Sequence, residues 1–252
     1  MAKFPKAVFL QTKNTCNSRC IICPYKDVYA SVEPQEMDIN LYKKILDDLT
    51  PEYDGQIGFY LHYEPLTDSR LQELIDLAKQ KCPLCQTWIS TNAGLLTHDV
   101  RCDVVCLNIN GGTKEVYEKQ MPPLKWETMI ENVTNFLKIH QGRVYINFVK
   151  TKDNDGTQQN LKDLFHLEIV DDYWATNRGG SVDVNVDQSS LTRFKNCREF
   201  ETNLPILHDG TILLCCNCWQ GEVVVGDANT DNVLEVFNKQ KDHNHDICRR
   251  CL

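Results

Sequence analysis

Strand-like and helix-like segments alternate over about the first 170 residues, and no other feature restricts the fold as tightly. AVFLQTK (7–13) reads as a strand. DINLYKKILDDL (38–49) reads as a helix with Ile39, Leu41, Tyr42, Ile45, Leu46 and Leu49 on one side and Asp38 as its N-cap. QIGFYLH (56–62) is a second strand, and residues 68–80 form a second helix that buries Leu71, Leu74, Ile75 and Ala78. QTWIST (86–91) and DVVCLNIN (103–110) are strands three and four. LKWETMIENVTNFLKIHQG (124–142) predicts an amphipathic helix closed by Gly142 as a left-handed cap. RVYINFVK (143–150) is strand five, and a helix near Gln158 to His166 precedes a sixth strand around Ile169 to Ala175. Such alternation calls for parallel strands with helices packed outside. Six units are too few for a closed eight-unit barrel, so the expected class is α/β, a partial parallel (β/α)6 TIM-like barrel over residues 1–180.

From about residue 180 the pattern changes. LPILHDGTILLCC (204–216) predicts a hairpin turning at His208-Asp209-Gly210, a short helix follows near Val233 to Lys239, and the chain ends on CRRC. A small β-hairpin/helix auxiliary domain is expected over residues 181–252, with GGSVDVNVDQSS (179–190) as the boundary.

A hydrophobic content of 42% and a charged content of 25% describe an ordinary globular chain. The net charge is −8 and no basic run occurs, so nucleic acid is not an expected partner. No stretch is apolar enough to span a membrane, and the N-terminus lacks the marks of an export signal, which places the expected site of action in the cytoplasm. In that reducing compartment thirteen cysteines point to metal or redox chemistry rather than disulfides.

Three of them, Cys16, Cys20 and Cys23, stand in CNSRCIICP at C-x3-C-x2-C spacing directly after the first strand. Reactive groups of such folds collect at the C-terminal ends of the strands. Three thiolates can hold a four-iron cluster and leave one iron open to an outside chelator. Incidental buried cysteines, or a zinc knuckle short of its fourth ligand, are the alternatives.

This spacing in this position resembles the radical S-adenosylmethionine (radical SAM) superfamily, in which the open iron binds the amino and carboxylate groups of S-adenosylmethionine. HYEPLTD (62–68) is similar to the family's G-G-E-P-L segment, with His62 and Tyr63 in place of the usual small residues. The resemblance implies Glu64 as partner of the methionine amino group. STNAGLL (90–96) and LNINGG (107–112) resemble the segments after strands three and four, which implies Ser90, Asn92 and Asn108 on the cofactor side. As bare residues, these three are also ordinary turn formers.

Cys197, then Gly210 and Cys215, with Cys248 and Cys251 at the end, resembles the SPASM domain and its shorter, one-cluster Twitch variant. The implied ligands of a second [4Fe–4S] cluster are Cys197, Cys215, Cys248 and Cys251; a zinc ribbon uses the same spacing. Cys216 and Cys218 are left beside that site, as a hydrogen-atom donor or as packing residues. Cys82, Cys85 and Cys106 read as structural. Arg178, in TNRGG, is either a group that holds a substrate oxygen or an exposed side chain before a glycine turn.

The resemblance implies reductive cleavage of S-adenosylmethionine to a 5′-deoxyadenosyl radical, fed by a flavodoxin or ferredoxin. That radical takes a hydrogen atom from the substrate. The chain begins about fifteen residues before Cys16, leaving no room there for a peptide-recognition domain. That favours a small polar substrate, with dehydrogenation of an aminocyclitol or sugar alcohol ahead of peptide epimerisation or crosslinking. A non-catalytic zinc or iron–sulfur binding protein is the further alternative.

Overall fold

Strand β1 (Ala7–Leu10) pairs in parallel with β2 (Gln56–Phe59), and β3 (Gln86–Thr91), β4 (Val104–Asn108), β5 (Arg143–Lys150) and β6 (Ile169–Trp174) follow in chain order, each parallel to the last. The protein is described by a computed structural model covering residues 4–182, 197–239 and 244–251. Most of the expected boundary segment, residues 183–190, lies outside the described residues.

The expected hairpin is present as β7 (Asn203–Ile206) and β8 (Thr211–Leu213), and β9 (Val224–Asp227) adds a further antiparallel strand. Its first strand does more than expected. β7 lies parallel to β1 on the side away from β2, with Ala7 opposite Asn203 and Leu10 opposite Ile206. The described residues therefore form one nine-stranded sheet in the order β6-β5-β4-β3-β2-β1-β7-β8-β9.

The side chains alternate across this sheet as the two-residue period requires. Val8, Leu10, Ile57, Phe59, Ile89, Val105, Leu107, Ile146 and Phe148 belong to the main core, where helices α2 (Ile39–Leu49), α3 (Leu71–Lys81) and α5 (Trp126–Ile139) contribute their apolar faces. Ala7, Phe9, Trp88, Cys106 and Tyr145 turn the other way, into two smaller clusters. Helix α1 (Tyr25–Val28), α4 (Lys114–Gln120) and α6 (Gln158–Phe165) complete the barrel part. Helices α7 (Glu199–Thr202), α8 (Val233–Asn238) and α9 (Asp246–Arg250) belong to the C-terminal part.

Gly142 departs from expectation. Its φ is not positive, and α5 ends instead at His140 in extended geometry. Glycine is required there for space, because a Cβ would lie 2.6 Å from the Cys102 carbonyl oxygen. Asp38 caps α2 as expected, accepting bonds from the Asn40 and Leu41 N–H groups at 2.7 and 3.3 Å. Replacing it with alanine leaves two donors without that carboxylate, and Asp38→Ala is expected to cost about 1 kcal/mol in denaturant unfolding.

Candidate active site

The cysteine loop leaves the end of β1 and is fixed by its backbone. The Cys16 N–H donates to the Tyr25 hydroxyl at 2.9 Å, and that hydroxyl donates to the Asn14 carbonyl at 3.1 Å. The Ser18 N–H points at Cys16 Sγ (3.4 Å), and the Ser18 hydroxyl lies 3.1 Å from Cys20 Sγ. All three predicted thiols come together here: Cys20 and Cys23 are near enough for their charge to disfavour ionisation of Cys16. Burial is the larger cause, raising Cys16 and Cys23 and pushing Cys20 up to about 12. A cation is what such thiols need to become thiolates.

Glu64 faces this loop and is only 3% exposed. Its charge disfavours that of Cys16 and Cys20. Its Oε1 accepts from the Thr91 hydroxyl at 2.6 Å and the Leu66 N–H at 3.2 Å, and Oε2 accepts from the Asn92 N–H at 2.8 Å. Burial still outweighs these three bonds and lifts its pKa to about 7. A carboxylate has about four acceptor sites, so one remains for an outside donor.

Two polar ties bind the Glu64–Thr67 segment to the cysteine loop. The Glu64 N–H donates to the Thr15 carbonyl at 3.0 Å, and Thr15 and Thr67 share a hydroxyl–hydroxyl bond of 2.8 Å. Behind them, Arg70 grips the buried Asp68 carboxylate with both Nε and Nη2 and also donates to the Met37 and Thr12 carbonyls. Asn92, at the end of β3, closes the ring by donating to Asn17 Oδ1 at 2.7 Å.

Ser90, Asn108 and Asn147 sit at neighbouring register positions near the C-terminal ends of β3, β4 and β5. They form a ladder in which Asn147 Nδ2 donates to Asn108 Oδ1 and Asn108 Nδ2 donates to Ser90 Oγ. Asn147 Oδ1 is buried and has no partner among the described residues. Two residues back along the same strands, Trp88 and Tyr145 join Phe9 and Tyr60 in an aromatic floor, with Tyr60 edge-on to Trp88 at 4.5 Å.

Arg178 follows β6 in a left-handed conformation (φ 49°). Its charge reaches both the Cys23 thiol and the His62 ring, so it stands between the first cysteine loop and the C-terminal part. The turn that carries it is pressed onto α9: Asn177 Nδ2 donates to the Arg250 carbonyl at 2.6 Å, and a Cβ on Gly179 would meet Ile247 at 2.7 Å.

The second predicted set also assembles. Cys215 and Cys251 act electrostatically on Cys197, and Cys215, Cys197 and Cys251 act on Cys248. Cys218 is fully buried beside them, and Cys216 is half-buried with its carbonyl accepting from His62. Cys82, Cys85 and Cys106 are buried in the core as expected. Among the described residues no three His, Cys, Asp or Glu side chains gather tightly enough to hold a single metal ion. A four-iron cluster has a different requirement. Each cysteine binds its own iron, so the sulfurs stand further apart than four thiolates on one zinc.

Residues 197–252 match the model of the SPASM family, described as an iron–sulfur cluster-binding domain. No curated protein sequence matches the chain. Among solved structures, BtrN in complex with AdoMet and 2-DOIA is 18% identical, with a TM-score of 0.61 over 100% of this chain and 94% of that one. Streptococcus suis SuiB bound to precursor peptide SuiA is 16% identical, with a TM-score of 0.72 over 94% of this chain and 65% of that one. Native anSMEcpe with bound AdoMet and Cp18Cys peptide is 14% identical, with a TM-score of 0.67 over 96% and 82%. The chain shares the open, parallel-stranded barrel fold of these structures, and its C-terminal part matches the SPASM model. The two-cluster, S-adenosylmethionine-binding expectation agrees with these matches. No helix among the described residues is long and apolar enough to cross a membrane.

Sequence reasoning missed the way the SPASM domain meets the barrel. His62 stacks on Trp219, with ring centroids 3.7 Å apart, and its Nε2 lies 2.8 Å from the Cys216 carbonyl. His62 takes φ 55°, the left-handed conformation that glycine adopts freely. Sequence carries one signal for it, a large residue where small ones are usual. Asn17, Thr91 and Asn147 were also missed, and only the period-two match of Asn147 with Asn108 could have found any of them.

Burial depresses the His62 pKa to about 4, so the ring is neutral at pH 7 and donates through Nε2. A depressed base stabilises the fold above its unfolded pKa and loses that contribution as pH falls toward the folded value. Stability is therefore expected to decline between about pH 6.5 and 4 by a His62 contribution of roughly 3 kcal/mol. Asparagine tolerates positive φ, so the pH-dependent gap between wild type and His62→Asn, followed by denaturant unfolding, checks it.

Proposed function

We propose that the protein is a radical SAM enzyme acting on a small polar substrate, with dehydrogenation of an aminocyclitol or sugar alcohol as the favoured reaction. The observation that carries the enzyme reading is the meeting of three half-buried cysteines with the buried, still unsaturated Glu64 carboxylate at one end of a parallel sheet. In this reading Cys16, Cys20 and Cys23 hold the first cluster, and Glu64 receives the amino group of S-adenosylmethionine. Ser90, Asn92 and Asn108 line the cofactor side, while Cys197, Cys215, Cys248 and Cys251 hold the second cluster. When bound, cluster and cofactor supply a 5′-deoxyadenosyl radical that takes a hydrogen atom from an unactivated C–H bond. The chain's own work is to keep that place dry and the substrate oriented.

The small-substrate reading is supported by the amide ladder. Asn147 Oδ1 is a buried acceptor without a donor, which costs about 1–3 kcal/mol until a substrate hydroxyl or ammonium fills it. The aromatic floor beneath suits the apolar face of a ring. Arg178 stands where it can hold the substrate oxygen that becomes a carbonyl. A flavodoxin or ferredoxin is the fitting electron donor. The peptide ligands of SuiB and anSMEcpe support a second reading, maturation of a ribosomally made peptide.

Anaerobic reconstitution is expected to yield ~8 irons per chain and, with strong reductant, release of 5′-deoxyadenosine. Joint replacement of Cys16, Cys20 and Cys23 by alanine should leave ~4 irons and abolish that release. Bound zinc with no cleavage would instead identify a binding protein.

Substrate class is read by label transfer. Deuterated aminocyclitols or polyols should deliver deuterium to 5′-deoxyadenosine, and Asn147→Leu should raise their KM about tenfold or more while cofactor cleavage persists. Transfer from a peptide and none from these compounds would replace the first reading by the second.

A further inference from the structure

The CCNC run (215–218) brings two hydrogen-bond donors to sulfurs of the second thiol set. Cys218 Sγ lies 3.8 Å from Cys215 Sγ, and Asn217 Nδ2 lies 3.3 Å from Cys251 Sγ. Both residues are enclosed, Cys218 at 0% and Asn217 at 8% exposure, so water does not compete for either contact. A tight turn fixes them: the Cys218 N–H donates to the Cys215 carbonyl at 3.1 Å, and the Trp219 N–H to the Asn217 carbonyl at 2.9 Å.

The direction of each bond follows from chemistry. A cysteine that ligates iron is a thiolate and only accepts. At Cys215 the proton of the pair therefore belongs to Cys218. At Cys251 the donor is the Asn217 amide N–H, since turning its oxygen toward a thiolate would set two acceptors together. Hydrogen bonds to ligand sulfurs favour the reduced, more negative cluster, and an enclosed low-dielectric site strengthens them.

We infer that Cys218 and Asn217 are positioning residues that raise the reduction potential of the second cluster by donating hydrogen bonds to Cys215 and Cys251. Cys218 then serves the cluster and not the substrate radical. The inference rests on the two-cluster reading above. A raised potential suits a cluster that accepts an electron from a substrate radical, as a dehydrogenation requires: the radical loses one electron to the cluster and its O–H proton to a base, leaving a carbonyl.

The test is an EPR-monitored redox titration of the full chain after anaerobic reconstitution. The second cluster is identified as the signal that S-adenosylmethionine leaves unchanged. Cys218→Ala and Asn217→Leu should each shift its midpoint to more negative potential, the double variant further, and Cys218→Ser, which keeps a donor, should restore the wild-type value. Iron should stay at ~8 per chain in every variant. An unchanged midpoint at full iron content overturns the inference alone. A fall to ~4 irons in Cys218→Ala also overturns it, by making Cys218 a ligand. A wild-type chain that never holds more than ~4 irons sinks the two-cluster reading and this inference with it.

Discussion

Burial of sulfur is the constraint from which the rest of the structure follows. A thiol removed from water resists ionising, and Cys16, Cys20 and Cys23 resist it further by crowding one another and Glu64. Only a strongly positive group can offset that combination, and an iron cluster is such a group. The loop around the thiols is held by hydroxyls from Tyr25, Thr15, Thr67 and Ser18 and by the Arg19 guanidinium, which donates to the Cys16 and Ser18 carbonyls. A carboxylate beside thiolates is repelled, yet Glu64 is fixed from three sides by the Thr91 hydroxyl and the Leu66 and Asn92 N–H groups.

The SPASM domain is joined to the barrel on two sides of the mouth. On one side His62 stacks on Trp219 and donates to the Cys216 carbonyl. On the other, the Arg178 turn packs onto the helix that carries Cys248. Cys215 and Cys248 of the second set pack, with Cys218, against a cluster that includes Phe9, Leu61 and Trp88, so this face of the sheet runs directly into them. Both thiol sets and Arg178 are in this way brought to one end of the molecule.

Local chemistry was the legible part of the sequence. Hydrophobic period gave β1 to β6 and the helices α2, α3, α5 and α6 to within a few residues, and Asp38 marked its own helix start. Spacing grouped Cys16, Cys20 and Cys23, whereas the second thiol set was grouped by its resemblance to a known domain. What escaped depends on partners distant along the chain. Nothing in LPILHDG says that β7 lies beside β1, because a hairpin strand and a parallel strand carry the same apolar pattern. Short α4 has too few turns to show a period. His62 and Trp219 are 157 positions apart and gain their meaning only from contact. Gly142 read as a cap because glycine serves turns and tight spaces alike.

The pairing of β7 with β1 bears on how such a protein can be divided. Strand β1 is interior only because chain from the far end of the sequence covers its second side. A version cut before residue 197 would leave the central N–H and C=O row of β1 bare, flanked by apolar side chains, and naked strands of that kind recruit one another. Loss of the accessory module would therefore strip the second side of β1 as well as remove the second thiol set.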